Sequence, residues 1–228
     1  MRFSPLLIMA GLSIGCGGRA GDEAAYRTPV APSGDSTTPV ITLTTFAYQC
    51  ADSTYVVAKF RPQDDLTLFL PSGTVRLYHQ PSASGARYAD STVAFWSKGR
   101  EATIEYADGR RIECLEDRRQ SVIEDAKLRG ADYWAVGNEP GWTLELFSDS
   151  IAFVTAYGTE RYRFITPAPE VDGENHRTIY RARTAAHDLT ITISYGRCRD
   201  SMSGESFEGT VELLFDGTAL RGCGQALH

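Results

Sequence analysis

The sequence predicts an all-β protein with two antiparallel β domains joined by a short helical linker. From residue 45 onward, short runs alternate between apolar and polar residues and are rich in β-branched and aromatic side chains. Turn sequences such as Asp108-Gly109 separate these runs, and one segment alone has helical spacing. Because short strands without helices between them pair with their sequence neighbours, each domain is expected to be a sandwich or a small closed barrel.

The N-terminal 15 residues have the features of a signal peptide. A positive charge precedes the apolar stretch Leu6–Ile14, which is too short to span a bilayer. Residues 13–16 resemble the lipobox of bacterial lipoproteins, although Ser13 stands where an aliphatic residue is usual. We therefore expect cleavage before Cys16 and acylation of that cysteine, the alternative being a secretory peptide with an incidental cysteine. Because Gly17 follows instead of aspartate, the sorting pattern favours the outer membrane, with the protein facing the periplasm.

A tether precedes the two domains. Residues 16–44 are rich in glycine, proline, serine and threonine and have almost no apolar periodicity, which is typical of a flexible segment. The first β domain is expected over residues 45–116. Seven of its runs are predicted strands: Phe46–Cys50, Tyr55–Phe60, Leu66–Leu70, Val75–His79, Val93–Trp96, Ala102–Tyr106 and Arg111–Leu115.

The helical segment and the second domain follow. Residues 117–131 carry apolar residues at helical spacing before Gly130, which indicates a linker helix. Residues 132–228 form the second all-β domain, in which Asp216-Gly217 predicts a hairpin turn. Its predicted strands are Tyr133–Val136, Trp142–Phe147, Ile151–Tyr157, Arg161–Ile165, Thr178–Arg183, Leu189–Tyr195, Thr210–Phe215 and Ala219–Cys223.

The distribution of charge argues against nucleic acid as a partner. The chain of 228 residues has a net charge of −6. Lys and Arg number 8 against 9 Asp and Glu in Thr45–Glu116, but 8 against 14 in Asp132–His228, so the acidity lies in the C-terminal half. Neither half has a basic stripe of the kind that neutralises phosphates.

The cysteines fit export to an oxidising compartment. Besides Cys16, the chain has four cysteines, two in each predicted domain. Of the three possible connectivities, Cys50–Cys114 with Cys198–Cys223 keeps each bridge within one domain. Metal binding is the alternative, but the sequence has no Cys-x-x-Cys pair and its four histidines show no ligand spacing. We expect neither a metal nor a cofactor.

The stretch from Ser84 to Gly99 combines residues suited to contact with another protein. A small hydroxyl stands beside Gly85, and Lys98 stands beside a second glycine about one strand's length away. Glycine allows the backbone to turn sharply and to approach a partner closely. Taken singly, Ser-Gly and Lys-Gly are ordinary turn sequences, so any functional interpretation depends on the surrounding motifs.

Together these motifs resemble the MliC/PliC-type inhibitors of c-type lysozyme. The resemblance covers the first β domain and consists of Tyr48-x-Cys50, Ser84-Gly85-x-x-Tyr88, Phe95-Trp96-Ser97-Lys98-Gly99 and Cys114. It implies an eight-stranded antiparallel β-barrel that acts as a lysozyme inhibitor and is not an enzyme. Family members are lipoproteins or soluble periplasmic proteins of Gram-negative bacteria.

The resemblance also implies which residues contact lysozyme. A c-type lysozyme hydrolyses glycosidic bonds with two carboxyl groups, one protonated and one ionised. In the family, the serine of the first loop and the lysine of the second loop hydrogen-bond to this pair, and the matching residues here are Ser84 and Lys98. The neighbouring positions expected at the contact are Gly85, Tyr88, Ser97 and Gly99.

The C-terminal domain carries a second set of motifs. Residues 137–142 read Gly-Asn-Glu-Pro-Gly-Trp, residues 198–203 read Cys-Arg-Asp-Ser-Met-Ser, and residues 222–224 read Gly-Cys-Gly. They resemble an uncharacterised domain of bacterial envelope lipoproteins, which brings no assigned activity. Glu139 and Asp200 are the candidates for a catalytic carboxylate pair, but turn capping beside a disulfide is the favoured interpretation. A ligand-binding or structural role in the envelope is the alternative to lysozyme inhibition.

Overall fold

Two β regions of different topology follow one another in the computed structural model, which describes residues 44–62 and 64–228. The predicted signal peptide, the lipidation site Cys16 and nearly all of the predicted tether lie outside these residues. Within the described part of the chain, no helix is long and apolar enough to cross a membrane. Both β regions belong to one compact unit, Ile41–His228.

The first region is a closed barrel of eight antiparallel strands. Each strand pairs with the next, and the last pairs back with the first, so the barrel has no free strand edge. Alternate side chains fill its interior, including the fully buried Leu66, Phe95 and Ile104. The strands are β1 (Thr45–Cys50), β2 (Tyr55–Phe60), β3 (Asp65–Leu70), β4 (Gly73–Gln80), β5 (Ala86–Ala89), β6 (Val93–Lys98), β7 (Glu101–Tyr106) and β8 (Arg111–Asp117).

A disulfide and a helix close the seam between β1 and β8. Cys50 lies directly opposite Cys114 in the register, and the two form the expected disulfide. The pairing reaches Ala47 opposite Asp117, where β8 ends. The chain then enters helix α1 (Arg118–Leu128), and the Asp117 side chain caps it by accepting a hydrogen bond from the Gln120 amide at 3.0 Å.

Two polar side chains of α1 continue the hydrogen bonding of β1 beyond the end of β8. Ser121 Oγ accepts from the Ala47 amide at 2.9 Å, and Asp125 Oδ1 accepts from the Thr45 amide at 3.1 Å. Residues four apart on a helix are separated by about 6 Å, and residues two apart on a strand by about 6.7 Å, so the two spacings match. Both helix side chains are buried, and the predicted linker helix is therefore part of the barrel wall.

The second region is one curled antiparallel sheet of nine strands. The sequence predicts an antiparallel barrel or sandwich for this region. Its spatial order is β12-β11-β10-β9-β17-β16-β15-β14-β13, so its first and last strands, β9 and β17, pair at the centre. The sheet curls far enough for β12 to contact β14. The strands are β9 (Tyr133–Asn138), β10 (Gly141–Leu146), β11 (Ser150–Thr155), β12 (Glu160–Ile165), β13 (Glu170–Asp172), β14 (Arg177–Arg183), β15 (Asp188–Arg199), β16 (Ser206–Phe215) and β17 (Thr218–Ala226).

The outer face of the curled sheet rests on α1. Ile123 and Ala126 of the helix pack in one apolar cluster with Trp134 and Phe207 of the sheet. Arg129, just after the helix, donates to Asp125 at 2.8 Å and to both carboxylate oxygens of Glu145 on β10 at 2.7 and 2.8 Å. Ser121 and Asp125 thus bind the helix to the barrel, while Ile123 and Ala126 pack it on the sheet. The second expected disulfide, Cys198–Cys223, joins β15 to β17 at the edge of this cluster.

Candidate functional site

Two turns lie side by side at one end of the barrel. The Ser84 turn joins β4 to β5, and the Lys98 turn joins β6 to β7. Strands β5 and β6 pair with Ala86 opposite Ser97, which brings the two turns together. The Trp96 indole Nε1 reaches across and donates to the Ser84 carbonyl oxygen at 2.8 Å. The structure therefore brings Ser84 and Lys98 to the same rim.

The glycine of each turn has a left-handed backbone, but only one of them is in tight contact. Gly85 has a φ of 70° and Gly99 a φ of 62°, a conformation that favours glycine. A Cβ on Gly85 would overlap the Ser97 carbonyl oxygen and lie 3.2 Å from Lys98 Cβ, whereas a Cβ on Gly99 would meet nothing within 4 Å. Gly85 is thus the point at which the two turns touch.

The functional groups at the rim face solvent. Ser84 and Lys98 are exposed, and Ser97 is half-buried beside them. Lys98 lies opposite Glu101 across the β6–β7 hairpin, yet its ammonium takes part in none of the ion pairs among the described residues. The rim therefore offers a hydroxyl and an ammonium group to a partner.

Tyr88 lies below the rim. Its side chain is 7% exposed and packs edge-on against Phe60 and His79 at centroid distances of 5.5 and 5.4 Å. Burial raises the pKa of its hydroxyl, and the nearby negative charge of Asp64 raises it further. Of the six residues expected at the contact, five lie at the rim, while Tyr88 supports the strand that carries the Ser84 turn and offers little surface.

A charged cluster across three strands of the barrel has no counterpart in the sequence motifs. Arg87 on β5 lies 3.6 Å from Glu105 on β7, and Arg111 on β8 lies 3.6 Å from the same carboxylate. These residues come from three strands, and no local motif links them. Glu105 offsets part of the positive charge of Arg87, whereas Lys98 and Arg100 at the rim form no ion pair among the described residues.

An open groove continues from the Lys98 turn. It has a volume of about 830 Å³ and runs from Arg100 along β7 and β8 to Arg118 at the start of α1. Arg100 lies at the start of the groove, where its guanidinium donates a hydrogen bond to the Glu116 carbonyl oxygen at 3.0 Å. A partner seated on the rim would also cover the start of this groove.

The carboxylates proposed as a pair in the C-terminal region have different surroundings. Asp200 is 4% exposed and accepts hydrogen bonds from the Ser203 amide at 2.7 Å and from Asn138 Nδ2 at 2.8 Å. Burial raises the pKa of Asp200, but these bonds and one from Met202 outweigh that effect, so its pKa is lowered. Glu139 is exposed. Asp200 is therefore an ionised turn cap, as the favoured interpretation held.

Metal ligands do not cluster in the described ranges. Among residues 44–62 and 64–228, no group of three or more His, Cys, Asp and Glu side chains is placed to hold a metal ion.

Comparison with known proteins identifies relatives of the barrel. A family model described as membrane-bound lysozyme-inhibitor of c-type lysozyme (MliC) matches residues 48–112. A protein of Escherichia coli K12 named membrane-bound lysozyme inhibitor of C-type lysozyme is 38% identical over 60 residues, which are 26% of this chain and 55% of the relative. A protein of the same name from Yersinia enterocolitica is 32% identical over 88 residues, or 39% of this chain and 74% of the relative.

The match is confined to part of each molecule. The chain spans about half the length of the E. coli relative, and the family model ends before α1 and the curled sheet. No solved structure gives a significant match. The family model coincides with the barrel and its rim, and through this region the chain belongs to the MliC family of membrane-bound inhibitors of c-type lysozyme.

Proposed function

We propose that the protein inhibits c-type lysozyme by inserting the Ser84 and Lys98 turns into the active-site cleft of the enzyme. The observation that carries the proposal is the exposure of these two side chains on one rim, where the Trp96–Ser84 hydrogen bond and the Gly85 contact hold the turns together. Family membership supports the broader statement that the partner is a lysozyme.

The chemistry of the two groups suits the two carboxyl groups of a lysozyme. One of those groups is protonated and the other is ionised. The Ser84 hydroxyl can donate or accept, so it can pair with either form, while the Lys98 ammonium is a pure donor and prefers the carboxylate. A charge-assisted hydrogen bond of this kind is about twice as strong as a neutral one.

The rim is also preorganised. The Lys98 turn is a two-residue hairpin loop, Gly99–Arg100. The Ser84 turn is held by Trp96 and by Ser82, whose hydroxyl donates to the Gly85 carbonyl oxygen at 3.0 Å. Because little conformational freedom is lost on binding, more of the contact energy is available as affinity. Gly85, Ser97 and Gly99 contribute close backbone approach, and Tyr88 supports them from below.

Long-range electrostatics contributes little through the barrel itself. Residues 45–116 carry 8 basic and 9 acidic side chains, so the domain that holds the rim is nearly neutral. Any attraction of a basic enzyme comes from the C-terminal half, with 8 basic against 14 acidic side chains. We therefore expect affinity to depend on the rim contacts more than on ionic strength.

A direct test measures lysozyme inhibition. The mature chain with Cys16→Ser, which cannot be acylated, is added at micromolar concentration to a lysozyme assay that follows the clearing of a bacterial cell suspension. We expect inhibition, and an absence of inhibition would refute the proposed function. Lys98→Ala and Ser84→Ala should each weaken binding by about 2 kcal/mol, or roughly 30-fold, as central contacts do.

Two control variants test whether the loss of binding is specific to the rim. Lys127→Ala removes an exposed lysine of α1, and Ser91→Ala removes an exposed serine from the β5–β6 turn. Both controls should inhibit like the parent protein. If Lys98→Ala and Ser84→Ala also inhibit like the parent, the insertion of these turns is wrong even though inhibition is real.

We also propose that the inhibitor is anchored through acylated Cys16 in the outer membrane and faces the periplasm. The lipobox-like sequence supports this, and both relatives are named membrane-bound. The proposed organisation is a signal peptide, a tether, a barrel domain (45–116), a linker helix (117–131) and a C-terminal domain (132–228). Cys16→Ala should move the protein from the membrane fraction to the soluble periplasmic fraction, and retention in the membrane would contradict the anchor.

A further inference from the structure

A cavity on the curled sheet brings together the motifs that the inhibitor family leaves unexplained. Its volume is about 390 Å³, and its lining comes from residues 137–139, 197–201 and 221–223 with Thr210. All of these residues lie outside the family match. The fold therefore brings the three sequence motifs of the C-terminal region together around this cavity.

The cavity lies next to the disulfide, and Asn138 and Arg221 place part of its lining on the outer face of the sheet. Val136 and Cys223 belong to the apolar cluster that packs on α1. Asn138 and Arg221 are each two residues away on the same strands, so they share that outer face. The cavity thus begins where the cover provided by α1 ends.

Three arginines line this cavity: Arg197, Arg199 and Arg221. The region Asp132–His228 has only 8 basic side chains against 14 acidic ones, so this is a local concentration of positive charge on an acidic sheet. None of the three forms an ion pair among the described residues, whereas Arg177 and Arg181 of β14 both do. Their guanidinium groups lack a carboxylate partner within the described structure.

The two carboxylates of the lining do not cancel this charge. The Asp200 carboxylate accepts hydrogen bonds from Ser203, Met202 and Asn138, and these bonds stabilise its negative charge within the turn. Glu139 is exposed at the edge. With three positive and two negative groups, the lining keeps a formal charge of +1.

The strands that carry the arginines are held in place. Arg197 sits in an irregular stretch of β15, where the register with β16 shifts between Tyr195 and Cys198. The Cys198–Cys223 disulfide ties this stretch to β17, two residues from Arg221. Arg199 is fixed as well, because its Nε donates to the Gly204 carbonyl oxygen at 3.0 Å. All three arginines are exposed, and among the described residues only Arg199 has a side-chain hydrogen bond, while the disulfide constrains the backbone of the strands that carry the other two.

We propose that this cavity binds a phosphate-bearing anion. Guanidinium groups bind phosphate through paired hydrogen bonds, and several together provide both charge and geometry. The anion can be the headgroup of an anionic phospholipid or a soluble phosphate compound, because both present the same phosphate oxygens. The site is separate from lysozyme inhibition and assigns a ligand to the C-terminal region.

The test uses the mature chain with Cys16→Ser, so that acylation does not carry it to the membrane. Inorganic pyrophosphate is titrated by calorimetry, and co-sedimentation compares vesicles of phosphatidylglycerol with vesicles of phosphatidylcholine. The variant Arg197→Gln with Arg221→Gln should lower binding at least 10-fold. Arg161→Gln is the matched control, because Arg161 is an exposed arginine of β12 outside the cavity, and it should bind like the parent.

The outcomes separate the two sources of phosphate. Binding to phosphatidylglycerol vesicles alone indicates a headgroup site, and binding to pyrophosphate alone indicates a soluble ligand. The proposal is overturned if neither probe binds, or if the double variant binds as well as the parent. An unchanged thermal midpoint and unchanged lysozyme inhibition in the double variant show that it is folded. A failure of lysozyme inhibition in the parent would leave this result unaffected.

Discussion

The barrel and the curled sheet both bring their first and last strands together, but only the barrel is closed. In both regions the first strand pairs with the last, β1 with β8 and β9 with β17. Every other consecutive pair also forms in the barrel, whereas in the sheet β12 does not pair with β13. The connecting segment contains Pro167 and Pro169, which lack the amide hydrogen that a ladder requires. The sheet is thus open at the one consecutive pair that does not form.

The open edges of the sheet are protected in ways that the barrel does not need. The edge strand β13 has only three residues, and two of them, Glu170 and Asp172, are charged. The other edge, β12, carries Glu160, Arg161 and Arg163. Short length and charge both discourage pairing with another chain. The comparison shows that two regions with similar strand patterns can differ in closure at a single pair of consecutive strands.

Removing the disulfides should have the largest effect and compares the two regions directly. Cys50→Ser with Cys114→Ser should lower the free energy of unfolding by about 4 kcal/mol, because this bridge closes the longer loop. Cys198→Ser with Cys223→Ser should cost about 3.5 kcal/mol on the same basis. Urea unfolding of both double variants measures the two losses. A loss below about 1 kcal/mol for the barrel pair would contradict the loop-closure account.

Asp125→Ala tests whether α1 belongs to the barrel. The change leaves the buried amide of Thr45 without its acceptor and removes a partner of Arg129. We expect a loss of about 3 kcal/mol in the free energy of unfolding. Asp125→Asn keeps an acceptor oxygen and should lose less, and Glu124→Ala on the neighbouring position is the control. If Asp125→Ala and Glu124→Ala lose the same amount, the seam does not depend on this carboxylate.

The two rim glycines provide a matched pair. Gly85→Ala should cost about 2.5 kcal/mol, because the left-handed backbone disfavours alanine and the new Cβ meets the Ser97 carbonyl oxygen. Gly99→Ala should cost only about 1 kcal/mol, because its new Cβ has open space. Thermal unfolding and lysozyme inhibition should both rank the variants in this order. The reverse order would show that the turns do not touch at Gly85.

Trp96→Phe should have the smallest effect and test the positioning of Ser84. Phenylalanine keeps an aromatic ring on the sheet but loses the hydrogen bond from Nε1 to the Ser84 carbonyl oxygen. Lysozyme binding should weaken by about 1 kcal/mol, the usual net contribution of one hydrogen bond. Tyr106→Phe on β7 is the control and should bind like the parent. Unchanged binding by Trp96→Phe would mean that the turn keeps its position without the indole.

Strand positions were largely predictable, and the two missed strands have a clear reason. β5 (Ala86–Ala89) and β13 (Glu170–Asp172) are the shortest strands, with four and three residues. Alternation cannot be recognised over so few positions, and serine, glycine and proline beside them indicate loops. The Ser84 and Lys98 turns were identified because their motifs are local in sequence. The Arg87–Glu105–Arg111 cluster and the pairing of β9 with β17 were not, because only the folded chain brings them together.

The burial of α1 between the barrel and the curled sheet could not be predicted from its composition. Its buried face includes Ser121 and Asp125, so apolar periodicity is weak and the segment resembles an exposed linker. The polar residues are buried because strand amides need acceptors there. A sequence pattern reports apolar burial well, but it does not report burial that depends on hydrogen bonding to a distant strand.

The position of α1 has a practical consequence for dissecting the molecule. A fragment cut at Glu116, the predicted end of the first domain, would leave the Thr45 and Ala47 amides without their acceptors. A fragment cut after Leu128 would keep those acceptors but expose Ile123 and Ala126, which the sheet covers. A fragment that keeps both the acceptors of the β1 amides and the apolar cover of α1 therefore has to include part of the curled sheet as well as the barrel.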